Sequence, residues 1–318
     1  MVFTDPLHIA SRVLLPALLA ALRPREDIYC ACICIPDHVS TWRQQWDWHL
    51  ARGKRRLQVM LASGRWEQSL DLRTLNLYRL AQPSGTAIMV MPTGDPNHAS
   101  ILRCIDQLPG TPVAINLYCT RRFRQPLLER FDRVVNYHNG SLPGFRGWRV
   151  SNWALYMGAP SSGLSFHLMT EAVDAGHILA TTQVPVRTHD TAAELELRKA
   201  LAARALLPAL LDSIVACDDG RAQHGIACEY NRSAYELATR VTDPSALCRE
   251  EWERRLRAFL RIQTQIDGRW WPVTAIGDGE NGAPLSFTSA DHQRLSVTGL
   301  DFWPASWIHR INPRHNRA

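Results

Sequence analysis

Two side chains able to steer an acyl group stand one residue apart in VVNYHNGSLPGFRGW, residues 134–148. They are Asn136 and His138. Alternate residues of a strand share a face, and the apolar run before them reads as a strand that breaks into a loop at Gly140, Pro143, Gly144 and Gly147. An amide N–H from Asn136 can donate to an oxygen that becomes negative during reaction. The imidazole of His138 changes charge near neutral pH and can act as general acid or base. Downstream, EAVDAGHIL supplies Asp174, which can orient His138, stabilise its charged form or hold a relaying water. The trio is suited to acyl transfer onto an amine with no acylated side chain. Ser141 lies close enough in sequence to remain an alternative nucleophile. Taken singly the pieces say little, since Asp before Gly is also a common turn.

Other chemistries find no signal. There is no phosphate-cradling Walker loop, no G-x-G-x-x-G and no G-x-S-x-G elbow. The eight cysteines form no CxxC pair and no cluster with zinc spacing, so no metal is expected. Cys30, Cys32 and Cys34 alternate along an apolar run and read as small hydrophobes of a buried strand. Dispersed, unpaired cysteines point to a reducing compartment, hence the cytoplasm. The run VLLPALLAALR contains Pro16 and reads as a first amphipathic helix rather than a secretory signal, and no stretch reaches membrane-spanning length. The formal charge of +6 over 318 residues favours anionic partners without requiring nucleic acid.

The trio needs a scaffold. Met1–Thr4, Ile28–Ile35, Ala87–Met91, Val113–Tyr118 and Val134–Tyr137 read as strands, with helical patterns between them, the first over Ile9 to Leu22. Trp42 and Trp46 lie four apart in another helical segment, and Gly53-Lys54-Arg55-Arg56 reads as a basic loop. Asn152–Met157 reads as a helix, and Leu164–Leu168 and Ile178–Val186 as strands. Thr191 to Cys217 reads as one long helix with Asp190 or Thr191 as its N-cap. This alternation predicts an α/β fold, Rossmann-like, with a mostly parallel sheet and helices on both faces. Ligands of such sheets bind beyond the strand C-termini, where Asn136 and His138 fall.

Near residue 221 the pattern changes, giving expected domains over 1–215 and 221–318. A helix presents Trp252, Leu256, Phe259 and Leu260 on one face and Arg254, Arg255, Arg257 and Arg261 on the others. The arginines form either a solvated face or a surface for RNA or phosphate. Three strand-like runs follow, predicting a small β-rich domain, an antiparallel sheet or an OB-like barrel.

NYHNGSLPGFRG, then WAL, then SGLSFHLMTEAVDAGHIL, resembles the folate-dependent formyltransferases, which include the glycinamide ribonucleotide, methionyl-tRNA and amino-sugar enzymes. Their N-x-H, Leu-Pro loop, R-G and D-x-G appear here in order, and the likeness extends over roughly residues 1–215. It implies that Asn136, His138 and Asp174 are catalytic and that 10-formyltetrahydrofolate donates the formyl group. It also implies that the pterin lies between RRFRQPL and MTEAVD, in contact with Arg122, Phe123, Arg124, Gln125, Leu127, Thr170, Glu171, Ala172 and Val173. Asp5, Ser141, Pro143 and Arg146 are the implied substrate-side contacts. The sequence departs from the family in having G-S-L-P for S-L-L-P, a loose FTDPLHIA at the first strand–helix loop, and His177 after D-x-G. His177 reads as a polar residue at a strand start or as a second titrating group, and His167 as a satisfied core histidine. The implied acceptor is a small-molecule or carrier-bound amine: an amino-sugar nucleotide, an amino or hydroxyamino acid, or an aminoacyl carrier. Methionyl-tRNA formylation and a folate-binding or formyl-folate-hydrolysing relative are the alternatives.

Overall fold

The computed structural model describes residues 1–37, 77–259, 262–273, 275–279 and 285–298. Trp42, Trp46, the 53–56 loop, Leu260 and Arg261 lie outside the described residues. The chain divides into two compact units, the first running on to Asn231 and the second starting at Arg232.

The first unit is built on a seven-stranded sheet. Its strands are β1 (Val2–Thr4), β2 (Cys32–Pro36), β3 (Ala87–Met91), β4 (Val113–Leu117), β5 (Arg133–His138), β7 (Ser161–Leu168) and β8 (Ile178–Pro185), in the order β3-β2-β1-β4-β5-β7-β8. The first five are parallel to one another; β7 and β8 are antiparallel. The mostly parallel α/β sheet read from the sequence is the one observed. The two-residue strand β6 (Arg146–Gly147) pairs separately with β9 (Glu229–Tyr230). That pairing carries the first unit past the boundary read near 215–221.

Period-two alternation divides the strand residues between two cores. Val2, Ile33, Ile35, Ile115, Val135, Tyr137, Leu164 and Phe166 join one cluster with the helices Ile9–Leu22, Ala192–Arg204 and Leu207–Val215. Phe3, Cys32, Cys34, Ala114 and Val134 join the other with the helix Ala99–Ile105 and with Leu127. Both faces of the sheet are therefore covered. Leu14, Leu15 and Leu18 are fully buried, each contributing about 1.5–3 kcal/mol relative to exposure. β2 starts only at Cys32, so Cys30 turns into the first cluster while Cys32 and Cys34 share the second.

The long helix expected over Thr191–Cys217 is two helices. Thr191 caps the first in a capping box with Glu194, and that helix ends at Arg204. Pro208, in the first turn of the second helix, lacks an N–H and would clash with the carbonyl four residues back, at Arg204.

The second unit contains the helices Arg232–Thr239 and Arg249–Phe259, and strands β10 (Arg240–Val241), β11 (Ile262–Ile266), β12 (Arg269–Val273), β13 (Ala275–Asp278), β14 (Ser286–Thr288) and β15 (Arg294–Thr298). Its described strands form two three-stranded sheets, β10-β11-β12 and β13-β15-β14, and β10–β11 is parallel. The antiparallel sheet or barrel expected here is thus corrected in detail, while the β-rich character stands. Trp252 is fully buried against Phe287, with Val241, Ile262, Val273 and Leu295 around it. Arg254 and Arg255 both pair with Glu251 on their own helix.

Candidate active site

Strand register assembles the site. Asn136 lies opposite Asn116 of β4 on one side and opposite His167 of β7 on the other. Period two puts His138 on the same face of β5 as Asn136. At the C-terminal ends of β4 and β5, polar side chains thus take over the face that apolar residues occupy lower down. All four are buried: Asn116 is 4% exposed, Asn136 8%, His138 6% and His167 1%. Buried polar groups require partners, and here they find one another.

The amide orientations follow from fixed backbone groups. The Cys119 N–H donates to Asn116 Oδ1 at 2.7 Å, and Asn116 Nδ2 donates to the Cys119 carbonyl at 3.1 Å. Asn116 Nδ2 also donates to Asn136 Oδ1 at 2.8 Å. That bond turns Asn136 Nδ2 toward His167 Nε2 at 3.0 Å and Asp174 Oδ1 at 3.3 Å. The ring tautomers follow in the same way, because a carbonyl only accepts. His167 Nδ1 donates to Leu168 O at 2.8 Å, leaving Nε2 to accept from Asn136. His138 Nε2 donates to Phe145 O at 2.6 Å, which leaves Nδ1 facing Asp174 Oδ2 at 3.3 Å.

Asp174 comes from the loop after β7, with its backbone in the left-handed region at φ 48°. Its Oδ2 accepts from the Gly147 N–H at 2.8 Å. Gln223 Nε2 donates to the carbonyls of Asp174 and Gly176, both at 2.8 Å, and fastens the loop. A Cβ at Gly176 would collide with the Leu168 carbonyl, which explains the glycine of D-x-G. At Gly140 a Cβ would collide with the Phe145 carbonyl and come within 2.7 Å of His138 Nε2.

Burial alone would raise the Asp174 pKa. Attraction to His138 and His167, with the Gly147 N–H, outweighs it and pushes the carboxyl down to about 2. Burial pushes His138 below its ordinary value, against the pull of Asp174. At neutral pH the pair is therefore a carboxylate beside a neutral imidazole whose Nδ1 is ready for a proton.

These residues line a cavity of about 360 Å³, within the usual range of small-molecule pockets. Its walls include Arg122 and Phe123 from one implied pterin loop, and Thr170, Glu171, Ala172 and Val173 from the other. Arg122 Nη2 donates to the Glu171 carbonyl at 3.0 Å and ties the two loops together. Arg124, Gln125 and Leu127 do not line it. Leu127 is packed in the core, Gln125 bonds Glu129, and the Arg124 N–H donates to Asn97.

The implied substrate-side residues do not line the cavity. Asp5 accepts from the Leu7 N–H, Arg146 donates to Gln223 Oε1, and Ser141 and Pro143 belong to the loop between β5 and β6. His177 bonds the Asp219 carbonyl and does not line the cavity. His167 is buried and satisfied as expected, yet it also belongs to the cluster. Asn116 escaped sequence reasoning; a lone Asn inside the apolar strand VAINL was its signal. Among the described residues no group of His, Cys, Asp or Glu is placed to hold a metal, and no helix is long and apolar enough to cross a membrane.

Residues 112–211, which hold the whole cluster, match the family model described as formyl transferase. That match gives this part of the chain a formyl transferase domain. It is 30% identical over 120 residues to the human trifunctional purine biosynthetic protein adenosine-3, an alignment covering 36% of this chain and 12% of that protein. The chain thus spans only a small part of that curated relative. Among solved structures it resembles a 4-N formyltransferase from Francisella tularensis, with TM-score 0.58 and 14% identity, covering 86% of this chain and 96% of the other. An N-formyltransferase from Helicobacter canadensis, solved with folinic acid and dTDP-3-aminofucose, gives TM-score 0.55 at 13% identity, covering 94% and 98%. Glycinamide ribonucleotide transformylase 1 from Symbiobacterium toebii gives 0.50 at 19%, covering 70% and 91%. At these identities the likeness establishes the fold.

Proposed function

We propose that this protein is an N-formyltransferase that moves the formyl group of 10-formyltetrahydrofolate to a primary amine of a small molecule. The observation carrying the reading is the meeting of Asn136, His138 and Asp174 in one cavity whose walls include parts of both loops expected to read a pterin. The residues present fit such a donor: loop backbone for the pterin edge, Phe123 for an apolar wall, and a buried polar cluster at the inner end. When bound, the donor supplies an electrophilic formyl carbon.

Attack by an amine places negative charge on the formyl oxygen and leaves a proton to be removed from nitrogen. Asn136 Nδ2 is the donor for the oxygen. Of its two hydrogens, the one aimed at Asp174 Oδ1 makes the longer contact, 3.3 Å against 3.0 Å, and is the one a formyl oxygen would share. His138 Nδ1 would accept that proton and return it to the folate nitrogen as the bond between that nitrogen and the formyl carbon breaks. Protonation there replaces two facing lone pairs with an N–H···O bond to Asp174, while Nε2–H keeps its hold on Phe145. Asp174 stays ionised throughout, because its pKa is about 2.

A small-molecule acceptor is favoured over tRNA by the solved neighbours named for small-molecule chemistry. An amino-sugar nucleotide is the first candidate, given the solved neighbour that holds dTDP-3-aminofucose. A glycinamide ribonucleotide-type acceptor is the second, given the solved neighbour named as a glycinamide ribonucleotide transformylase. The eight free thiols are in keeping with a cytoplasmic enzyme. The test is to incubate the full chain with 10-formyltetrahydrofolate and a panel of amino-sugar nucleotides, glycinamide ribonucleotide and amino acids. N-formyl product should appear with at least one amine by mass spectrometry. Formate release at the same rate with and without every amine would replace this reading with the hydrolytic one.

A further inference from the structure

Lys199 is fully buried, and the chemistry above does not use it. It sits on the helix Ala192–Arg204, beneath the site. Its Nζ donates to the Asn139 carbonyl at 2.9 Å and to Ser151 Oγ at 3.1 Å. Asn139 Nδ2 also donates to Ser151 Oγ, at 3.1 Å. Asn139 directly follows His138, and Ser151 lies in the first turn of the helix Val150–Tyr156. One buried amine therefore joins the two ends of the loop 140–149.

That loop carries both backbone groups that hold the acid–base pair. The Phe145 carbonyl accepts from His138 Nε2, and the Gly147 N–H donates to Asp174 Oδ2. The outer part of the loop has its own anchor, since the N–H groups of Arg146 and Trp148 donate to the carbonyls of Cys228 and Tyr230. The inner end, beside His138, is held by Lys199, Ser151 and the Ser165 hydroxyl on the Gly140 carbonyl.

A lysine is a demanding choice here, because an amine taken out of water costs stability unless it is well bonded. Burial pushes its pKa down to about 7, despite the attraction of Glu196. A site that needed only volume would accept methionine or leucine. We propose that Lys199 is a positioning residue for formyl transfer: by tying Asn139 to Ser151 it sets the Phe145 carbonyl and the Gly147 N–H where they hold His138 and Asp174. This rests on the proposed function for its kinetic consequence, though not for its structural one.

The test is Lys199→Met in the full chain, which keeps length and removes the donor. The cooperative melt and affinity for tetrahydrofolate should persist while kcat falls about 10- to 100-fold, the scale of a small misplacement of catalytic groups. In parallel, 15N spectra of the histidine rings should show His138 losing its hydrogen-bonded Nε2–H signal. An unchanged His138 signal with unchanged kcat overturns the proposal, and so does a lowered melting temperature with both unmoved. Should Lys199→Met fail to fold, Ser151→Ala removes one of the two acceptors, and the same change in the His138 signal decides the matter either way. If the wild type formylates no amine, the functional reading falls, and the ring spectra still judge Lys199.

Discussion

Asn136 and His167 stand directly opposite one another in the β5–β7 ladder, 3.0 Å apart between Nδ2 and Nε2, and each also reaches Asp174 Oδ1 at 3.3 Å. A histidine that sequence spacing assigns to the core therefore accepts from, and helps hold, the Asn136 amide that Asn116 orients. Replacing His167 with Phe keeps a ring and removes both nitrogens. Asn136 loses an acceptor and the Leu168 carbonyl loses a donor. Stability should fall by about 1–3 kcal/mol, the cost of stranding buried polar groups. Formyl transfer should fall by about 10- to 100-fold through misplacement. Denaturant melts and steady-state kinetics on the one variant measure both, and wild-type kinetics would remove His167 from the site.

Much of this arrangement was legible before any coordinates. The N-x-H at a strand end and the D-x-G before the next strand marked three members of the cluster, because period-two spacing and turn chemistry are local. Asn116 and His167 were not legible as members, since their role comes from register: which residue of β4 or β7 lies beside Asn136 is fixed by long-range pairing. Lys199 was hidden for a related reason. Its helical periodicity places it on a buried face, but nothing local says that the backbone of Asn139 waits there. The single long helix read over Thr191–Cys217 failed at Pro208, whose ring acts on the carbonyl of Arg204 and ends the helix earlier than the apolar pattern suggests.

Asn116 sets the orientation of Asn136 through one bond, Nδ2 to Oδ1 at 2.8 Å, and is itself oriented by the backbone of Cys119. Asn116→Leu fills similar space without a donor. The Asn136 amide then loses the bond that decides which end faces the cavity, and Oδ1 is stranded. The expected result is a fall in kcat of about 10-fold or more with a near-normal KM for the folate donor. A rise in donor KM with unchanged kcat would instead place Asn116 in donor binding.

Asp174→Asn tests the charge alone, because Asn tolerates the left-handed backbone at this position and keeps an oxygen for the Gly147 N–H. Turnover should drop by about 100- to 10,000-fold, the usual range for losing acid–base assistance. Asp174 raises the His138 pKa against burial, so the variant's residual activity should hold to lower pH than wild type before its acid limb. Stability shifts as well. The carboxyl sits at about 2 in the fold against an unperturbed 3.8, so wild type gains about 2 kcal/mol that is fully present above pH 3.8 and lost as pH falls through 2. Melts of both proteins across pH 2 to 7 should converge at the acid end.

Lys199 shifts stability in the opposite sense, because its pKa lies near 7 in the fold against 10.5 unfolded. Between those values the unfolded chain holds a proton that the folded chain does not. Stability then rises with pH across this window, by up to about 5 kcal/mol in the limit of full linkage. The cause is burial first, offset by Glu196 and reinforced by Arg198. Lys199→Met has no such proton, so its stability curve should be flatter between pH 7 and 10.5. Measured as the difference between the two proteins, wild type should gain on the variant as pH rises. A constant difference across the window would mean that the amine is as protonated in the fold as it is in water, and that its hydrogen bonds to Asn139 and Ser151 stabilise the charged form enough to offset its burial.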